Sequence, residues 1–148
     1  MSQPLLLGWR EWLALPGLGI ALIRAKIDTG ARSSALHVLD QETFQRDGVE
    51  IVRFRIETGL PDAPALPAEA VVLDRRRVTD SGGHQTERIF IRTTLRLGHR
   101  EWDAEVNLTQ RRNMLFPMLL GRTALAGHYL VDPGSSFLLG DPPAGAGA

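Results

Sequence analysis

The sequence predicts an all-β protein, built as a barrel or as a sandwich. Three observations lead to this prediction: apolar and polar residues alternate along several short segments, turn residues separate those segments, and almost no stretch has helical periodicity. The clearest strand covers residues 88–98, where every second residue from Ile89 to Leu97 is apolar or threonine. Gly98-His99 then turns the chain into a partner strand at residues 101–108.

The other elements follow from the same kinds of pattern. Residues 49–57 alternate because Val52, Phe54 and Ile56 share one face of the chain. Strands are also predicted at residues 8–15, 20–27, 69–79 and 129–131, with an apolar run at 114–120 and a single helical turn at 123–126. Residues 33–39 fit either a strand or a short helix. Residues 42–46 are predicted to be a surface segment that precedes the hairpin turn Asp47-Gly48. Residues 58–68 are predicted to be a loop.

Length and composition fit one folded domain with no strong overall charge. The 148 residues are 43% hydrophobic, which is enough to build a single core. The 17 basic and 17 acidic side chains cancel, so we expect no nucleic-acid partner and no membrane partner. Lys26 is the only lysine, so 16 of the basic residues are arginines, whose forked donors suit carboxylates.

The sequence also predicts the compartment and the extent of the domain. It contains no cysteine, which excludes disulfides, thiolate catalysis and cysteine zinc sites. Leu5-Leu6-Leu7 is too short for a signal-peptide core, and no segment reaches membrane-spanning length, so we expect a cytoplasmic protein. A single domain is predicted at residues 1–140, followed by a flexible tail of Pro, Gly and Ala at residues 141–148.

The most informative stretch is the turn Asp28-Thr29-Gly30. It follows an apolar, partly β-branched strand, so the carboxylate of Asp28 is held in place while it can still reach a cleft. Such a setting suits acid/base chemistry. The same tripeptide also fits an ordinary turn with its carboxylate in solvent, and its residues alone leave both interpretations open.

The order of several motifs resembles a retropepsin-type aspartic protease. A strand enters Asp28-Thr29-Gly30-Ala31, a glycine-tipped hairpin follows at Ser81-Gly82-Gly83, and Leu119-Leu120-Gly121-Arg122 precedes a short helix. One bacterial family is especially similar; its members are described as ATP-dependent zinc proteases, and some are encoded beside ATP-grasp glutamate ligases. The similar segments, which span about residues 8–140, are Gly8-Trp9-Arg10-Glu11, residues 26–32, residues 81–84, residues 91–95 and residues 120–125.

This resemblance implies a closed retropepsin-like β-barrel with one short C-terminal helix. It also implies a homodimeric aspartic peptidase that hydrolyses peptide or amide bonds, in which the Asp28 carboxylates of two subunits share a proton and activate water. The catalytic residues would then be Asp28, Thr29 and Gly30. The substrate would contact Ala31, Arg32 and the hairpin residues Ser81, Gly82, Gly83 and His84, which would act as a flap. Leu120, Gly121 and Arg122 would form a second, structural motif.

One departure from the retropepsin pattern affects the expected substrate. Retropepsins usually carry an acid where this chain has Arg32, and that acid normally pairs with the arginine of the second motif. The partner of Arg122 is therefore open. A guanidinium at this position makes the cleft more basic and favours an acidic, glutamate-rich peptide. An internal ion pair of Arg32 with Asp132 or Glu105 is the competing interpretation.

Two alternatives to the peptidase remain at this stage. The first is a non-catalytic module of the same fold that binds acidic peptides, and the second is a zinc-dependent hydrolase. The sequence offers no His-Glu-x-x-His helix and no lysine after a phosphate-binding glycine loop, so we predict neither a metal nor a cofactor. The four histidines, which lie far apart in the sequence, are His37, His84, His99 and His128. Residues 75–77, three consecutive arginines, are interpreted as a solvated face.

Overall fold

The computed structural model describes residues 3–60, 62–80, 82–110 and 116–139, and it confirms the all-β class. Within those ranges the chain forms twelve strands, one single-turn α-helix and a short 3-10 helix at Pro16–Leu18 between β2 and β3. The strands are β1 (Leu5–Leu7), β2 (Arg10–Leu15), β3 (Ile20–Asp28), β4 (Ser34–His37), β5 (Asp40–Arg46), β6 (Val49–Ile56), β7 (Leu66–Val71), β8 (Asp74–Thr79), β9 (Gln85–Leu97), β10 (Arg100–Thr109), β11 (Met118–Gly121) and β12 (Tyr129–Val131), and the helix is α1 (Arg122–Leu125). The predicted tail and Ser81 lie outside the described residues.

The strands form one large sheet and two small ones. The large sheet has seven strands in the order β10-β4-β11-β3-β2-β9-β8, and β9 also pairs with β10, so the pairings return to the strand at which they began. Strands β5, β6 and β7 form a separate three-stranded sheet. Strands β1 and β12 pair in parallel as a two-stranded sheet. Strand β3 lies between β2 and β11 inside the large sheet, so it has a hydrogen-bonded neighbour on each side.

Alternation along β3 explains how the core and the outer face are separated. Ile23, Ala25 and Ile27 are buried in the hydrophobic core, because successive side chains of a strand point to opposite faces. Their neighbours Arg24, Lys26 and Asp28 therefore lie on the other face, and they are half-buried or exposed. The predicted apolar face of residues 49–57 is confirmed in the same way, since Val52, Phe54 and Ile56 are all buried.

Several predicted boundaries need correction. Residues 69–79 are two strands rather than one, because the chain leaves the small sheet after β7 and enters the large sheet as β8. At the crossing, Val72 N–H donates to the carbonyl of Glu50 at 3.0 Å and Leu73 N–H donates to that of Phe90 at 2.8 Å. The segment predicted at residues 42–46 is strand β5, and residues 33–39 contain the strand β4 rather than a helix.

Two of the predicted turns are confirmed by their backbone conformations. Asp47 and Gly48 have φ values of 53° and 79°, as a two-residue hairpin turn between β5 and β6 requires. Gly127, with a φ of 83°, ends the helical turn that was predicted at residues 123–126 and is observed at Arg122–Leu125. No helix in the described ranges is long and apolar enough to cross a membrane. The cytoplasmic location and the domain limits stay predictions.

A buried carboxylate joins the beginning of the fold to its end. Glu11 on β2 has no exposed surface, and its side chain accepts hydrogen bonds from the N–H groups of Gly8 at 2.7 Å, Leu138 at 2.8 Å and Leu139 at 3.2 Å. Three N–H donors compensate for the loss of water around the charge. Gly8 lies so close to Ser135 that a Cβ there would be 2.3 Å from the carbonyl oxygen of Ser135. The motif Gly8-Trp9-Arg10-Glu11 therefore has a structural role, because Glu11 and Gly8 hold the C-terminal residues 135–139 against β2. We refer to these contacts as the clasp.

We predict that Glu11→Ala lowers the free energy of unfolding by about 3 kcal/mol, because one buried and two part-buried N–H groups lose a charged acceptor. Urea denaturation followed by circular dichroism measures this change. Glu42→Ala is the matched control: Glu42 is 69% exposed, and its ion pair among the described residues is with Arg53 at the surface, so its loss should cost less than about 1 kcal/mol. Equal effects of the two substitutions would contradict the clasp.

Candidate binding cleft

The Asp28 turn begins where β3 reaches the open end of the sheet. The Oδ1 atom of Asp28 accepts a hydrogen bond from Gly30 N–H at 2.9 Å, and the Asp28 carbonyl accepts one from Ala31 N–H at 3.2 Å. These bonds fold the residues after the strand into a tight turn. Thr29 and Gly30 are exposed at its tip, and Asp28 is half-buried. The carboxylate is thus held by the backbone and faces the space in front of the sheet.

Gly121 on β11 lies directly opposite Asp28 and packs against the loop that follows the turn. A Cβ at this position would lie 2.4 Å from the carbonyl oxygen of Ser33 and 2.9 Å from that of Ala31, so no other residue fits without moving the backbone. The N–H of Gly121 donates to the buried hydroxyl of Ser34 at 3.0 Å. The predicted second motif is therefore in contact with the Asp28 turn.

Asn107, on β10, connects the hydrogen bonds around Gly121 and Ser34 to strand β9. Its side-chain Nδ2 donates to the carbonyl of Ser34 at 2.9 Å, and its Oδ1 accepts from the guanidinium of Arg88 at 3.1 Å. Asn107 is only 1% exposed; its bond to Ser34 is buried, and its bond from Arg88 is part-buried. A continuous set of hydrogen bonds thus runs from Arg88 through Asn107 and Ser34 to Gly121.

The partner of Arg122, which the sequence left open, is the backbone of the turn. The guanidinium donates to the carbonyl of Gly30 at 3.3 Å and lies 3.5 Å from that of Thr29. The N–H of Arg122 donates to the carbonyl of Ala31 at 2.8 Å. Arg122 therefore stabilises the Asp28 turn through carbonyl oxygens, without the carboxylate partner that a retropepsin would supply at residue 32.

These elements and strand β8 border one cleft of about 810 Å³. Its described lining contains five arginines and two aspartates, so positive charge dominates. The charged residues are Asp28, Arg32, Arg76, Arg77, Asp80, Arg88 and Arg122. The apolar parts of the cleft wall are formed by Ala31, Phe90 and Leu119. Charge and shape together suit an anionic ligand that has some apolar surface.

The arginines of the cleft differ in how they are held. Arg76 donates to Glu105 at 2.8 Å and to Asp74 at 2.9 Å, and these hydrogen bonds raise the pKa of its guanidinium above the ordinary value. Arg32 and Arg77 are exposed, and neither has a carboxylate within ion-pair distance in the described part of the chain. Asp132 binds the Gly134 N–H and the Ser135 hydroxyl instead. The competing interpretation, an ion pair of Arg32 with Asp132 or Glu105, is therefore not observed among the described residues.

The hairpin between β8 and β9 has the predicted glycine tip. Asp80 Oδ1 accepts from the N–H groups of Gly82 and His84, both at 2.9 Å, and Gly83 has a φ of 85°. The cleft is lined by residues 76–80 of this hairpin, whereas Gly82, Gly83 and His84 are absent from its described lining. Their predicted contact with substrate stays a prediction, as does the movement of the hairpin as a flap.

Sequence reasoning placed Asp28, Ala31, Arg32 and Arg122 near one another, and all four line the cleft. It interpreted residues 75–77 as a solvated face, which holds for Arg75 but misses the contribution of Arg76 and Arg77 to the cleft. Arg88 and Asn107 were also missed. The available signal was the strand pairing: Arg76 lies opposite Arg88 in the β8–β9 hairpin.

The histidines do not converge on the Asp28 turn. His37 is on β4 and His84 is in the hairpin, and neither is part of the described cleft lining that includes Asp28. Among the residues described by the structure, no group of three or more His, Asp or Glu side chains could hold a metal ion. The structure therefore provides no observation that favours the zinc-dependent alternative.

The β-rich sheet, the Asp-Thr-Gly turn at the end of β3 and the Leu-Gly-Arg motif packed against it define a retropepsin-like domain. The chain belongs to the RimB-like family, described as "Retropepsin-like aspartic endopeptidase RimB", which matches residues 6–142. This confirms the family that the motifs indicated. The crystal structure of protein Lpg0085 of unknown function from Legionella pneumophila is similar, with a TM-score of 0.79 and 26% identity over 93% of this chain and 99% of that one.

Curated relatives carry a different functional name. Proteins from Desulfotalea psychrophila and Shewanella pealeana are each 38% identical to this chain, over 95% and 92% of it, and a protein from Parasynechococcus marenigrum is 39% identical over 95%. Each is named "Probable alpha-L-glutamate ligase". The chain spans only 30–31% of the length of these relatives.

These names contradict the prediction of an aspartic-type peptidase, together with its hydrolase and aspartyl protease assignments. A ligase forms a bond, whereas a peptidase hydrolyses one, so the zinc-dependent hydrolase alternative is contradicted as well. The family description refers to an endopeptidase and disagrees with the curated names. The predicted homodimer is not tested by these comparisons.

We predict that Gly121→Ala lowers the free energy of unfolding by about 3 kcal/mol, because its Cβ would overlap the Ser33 carbonyl and separate β11 from the Asp28 turn. Thermal or urea unfolding measures this loss. Gly134→Ala is the control: the nearest atom to a Cβ there is Asp132 Oδ1 at 3.5 Å, an ordinary contact distance. If the two variants are equally stable, the close packing at Gly121 does not support the cleft.

Proposed function

We propose that this chain is a carboxylate-recognition domain that binds acidic, glutamate-rich peptides and serves α-L-glutamate ligation. The observation that carries the proposal is the composition of the cleft lining, which contains five arginines and two aspartates. Arginine binds a carboxylate through two parallel N–H···O bonds, which gives both strength and orientation. A peptide with a carboxylate on each residue could occupy several of these arginines at once.

Two of the arginines are especially suited to a ligand. Arg32 and Arg77 are exposed in the cleft and have no carboxylate partner among the described residues, so binding would not require an existing ion pair to break. Arg76, Arg88 and Arg122 are held by hydrogen bonds within the protein. Arg88 and Arg122 would contribute positive charge at fixed positions, whereas Glu105 and Asp74 offset the charge of Arg76. Arg32 and Arg77 would make the direct contacts.

The relatives support the same class of ligand. Their name, probable α-L-glutamate ligase, refers to a reaction that involves glutamate, whose side chain is a carboxylate at neutral pH. Because this chain corresponds to about 30% of those proteins, its share of the activity is proposed to be the binding of the glutamate-bearing chain. The bond-forming step itself is not assigned to residues of the cleft.

The Asp28 turn has a recognition role in this proposal. One carboxylate oxygen of Asp28 is bonded to Gly30 N–H, and the other could accept a hydrogen bond from an amide N–H of the bound peptide. Thr29 and Gly30 provide the carbonyls that hold Arg122. The residues predicted as catalytic would then position the peptide backbone between the arginines.

We also infer that the large sheet closes as the retropepsin-like barrel that the motifs implied. Support comes from β9, which pairs with β2 through Ala14 and Arg96 and with β10 along eight residue pairs. The predicted homodimer and the cytoplasmic location stay predictions within this proposal. Carboxylate binding by the cleft needs residues of one chain only.

The proposal predicts that Arg32→Gln weakens the binding of penta-α-L-glutamate about tenfold or more, because a charge-assisted hydrogen bond contributes about 1.5–3 kcal/mol. Isothermal titration calorimetry at low ionic strength measures the dissociation constant. Pentaglutamine, which has a similar shape and no charge, should bind far more weakly.

Arg92→Gln is the matched control for Arg32→Gln. Arg92 is 60% exposed on β9, lies outside the cleft and approaches Asp103 at 3.9 Å, so its removal changes the net charge equally. It should leave the affinity nearly unchanged. If Arg92→Gln reduces binding as much as Arg32→Gln, or if pentaglutamine binds as tightly as pentaglutamate, the cleft does not recognise carboxylates.

A further inference from the structure

A row of residues runs from the cleft across the sheet toward β2. Ala35 on β4 and Leu119 on β11 both line the cleft and lie opposite each other. Leu119 lies opposite Lys26 on β3, and Lys26 lies opposite Arg10 on β2. Residues opposite each other on neighbouring strands project from the same face of a sheet. The face that forms the cleft wall at Leu119 therefore continues outside the cleft to Lys26 and Arg10.

Three cations occupy this continuation, and we refer to Arg10, Arg24 and Lys26 as the basic strip. Arg24 is two residues before Lys26 on β3, so it lies on the same face. The other face of β3 is core, as the burial of Ile23, Ala25 and Ile27 indicates, and Glu11 is likewise turned inward on β2. Alternation has thus placed Arg10, Arg24 and Lys26 on the outer face of these two strands, where Asp28 at the end of β3 is the neighbouring acidic residue.

The two arginines of the basic strip, Arg10 and Arg24, lie against aromatic rings rather than carboxylates. The guanidinium of Arg24 lies 4.8 Å from the centre of the Phe116 ring, and that of Arg10 lies between Trp9 and Phe137 at 4.7 and 4.8 Å. Arg10 also donates to the Ser136 hydroxyl at 3.2 Å. In the described ranges none of the three cations has an acidic partner. Their positive charge is therefore oriented but not neutralised.

We propose that the basic strip is a second part of the peptide-binding surface, which contacts an acidic polypeptide where it leaves the cleft. This inference rests on the proposed function of the cleft. Side chains two residues apart in a strand are about 6.6–6.8 Å apart, and alternate residues of an extended peptide have the same spacing. Arg24 and Lys26 therefore match alternate carboxylates of an extended acidic chain. Short peptides would fill the cleft, and longer ones would also reach the strip.

The test compares tri-α-L-glutamate with octa-α-L-glutamate on the full chain by isothermal titration calorimetry. We expect the longer peptide to bind the unmodified protein about fivefold more tightly or better, after correction for the number of binding registers. The double variant Arg24→Gln/Lys26→Gln should reduce this ratio to less than about twofold, because the added residues lose their cationic partners. Arg92→Gln, which removes a cation elsewhere on the sheet, should keep the ratio.

Each failure of this test has a distinct meaning. If the two peptides bind equally well, or if Arg92→Gln reduces the ratio as much as the double variant does, the basic strip is not a binding surface while the cleft proposal stands. If neither peptide binds the unmodified protein, the proposed function and this inference both fail. Aromatic rings beside cations also suit stacked bases, so tighter binding of octauridylate than of octaglutamate would overturn the assignment to an acidic polypeptide.

Discussion

The site depends on the close packing of Gly121 against the loop that follows the Asp28 turn. A side chain at this position would meet the Ser33 carbonyl at 2.4 Å, so the approach of β11 to this loop is possible only for glycine. Because the backbones are close, Gly121 can donate to Ser34 and Arg122 can reach the carbonyls of the turn. The positions of Asp28 and Arg32 in the cleft follow from this contact.

Strands with regular alternation of apolar and polar residues could be predicted from the sequence. Strand boundaries that depend on which other strand the chain pairs with could not. Alternation located β6, β9 and β10, because each buries one face against the core. It missed the separation of β7 from β8, since only the pairing of Leu73 with Phe90 moves the chain into the other sheet. Likewise, motif order placed Arg32 and Arg122 in one site, while Arg77 came to that site through the pairing of β8 with β9.

The excess of arginine in this cleft gives a physical reason to propose carboxylate binding rather than the peptidase activity that the motifs first suggested. The described lining of the cleft contains five arginines and two aspartates, a composition that suits the binding of carboxylates. In a retropepsin an acid at residue 32 would pair with the arginine of the second motif. Here Arg122 binds backbone carbonyls, so residue 32 is free to carry the opposite charge. The names of the curated relatives agree with a role in glutamate ligation.

The most direct test of carboxylate recognition is a crystal structure of the protein with hexa-α-L-glutamate. The account predicts an unbroken peptide in the cleft, with its carboxylates within hydrogen-bond distance of the Arg32 and Arg77 guanidinium groups and its backbone beside Asp28. A peptide bound elsewhere, with the cleft arginines contacting only solvent, would contradict carboxylate recognition. A peptide cleaved beside Asp28 would contradict the assignment to ligation and restore a hydrolytic role for the turn.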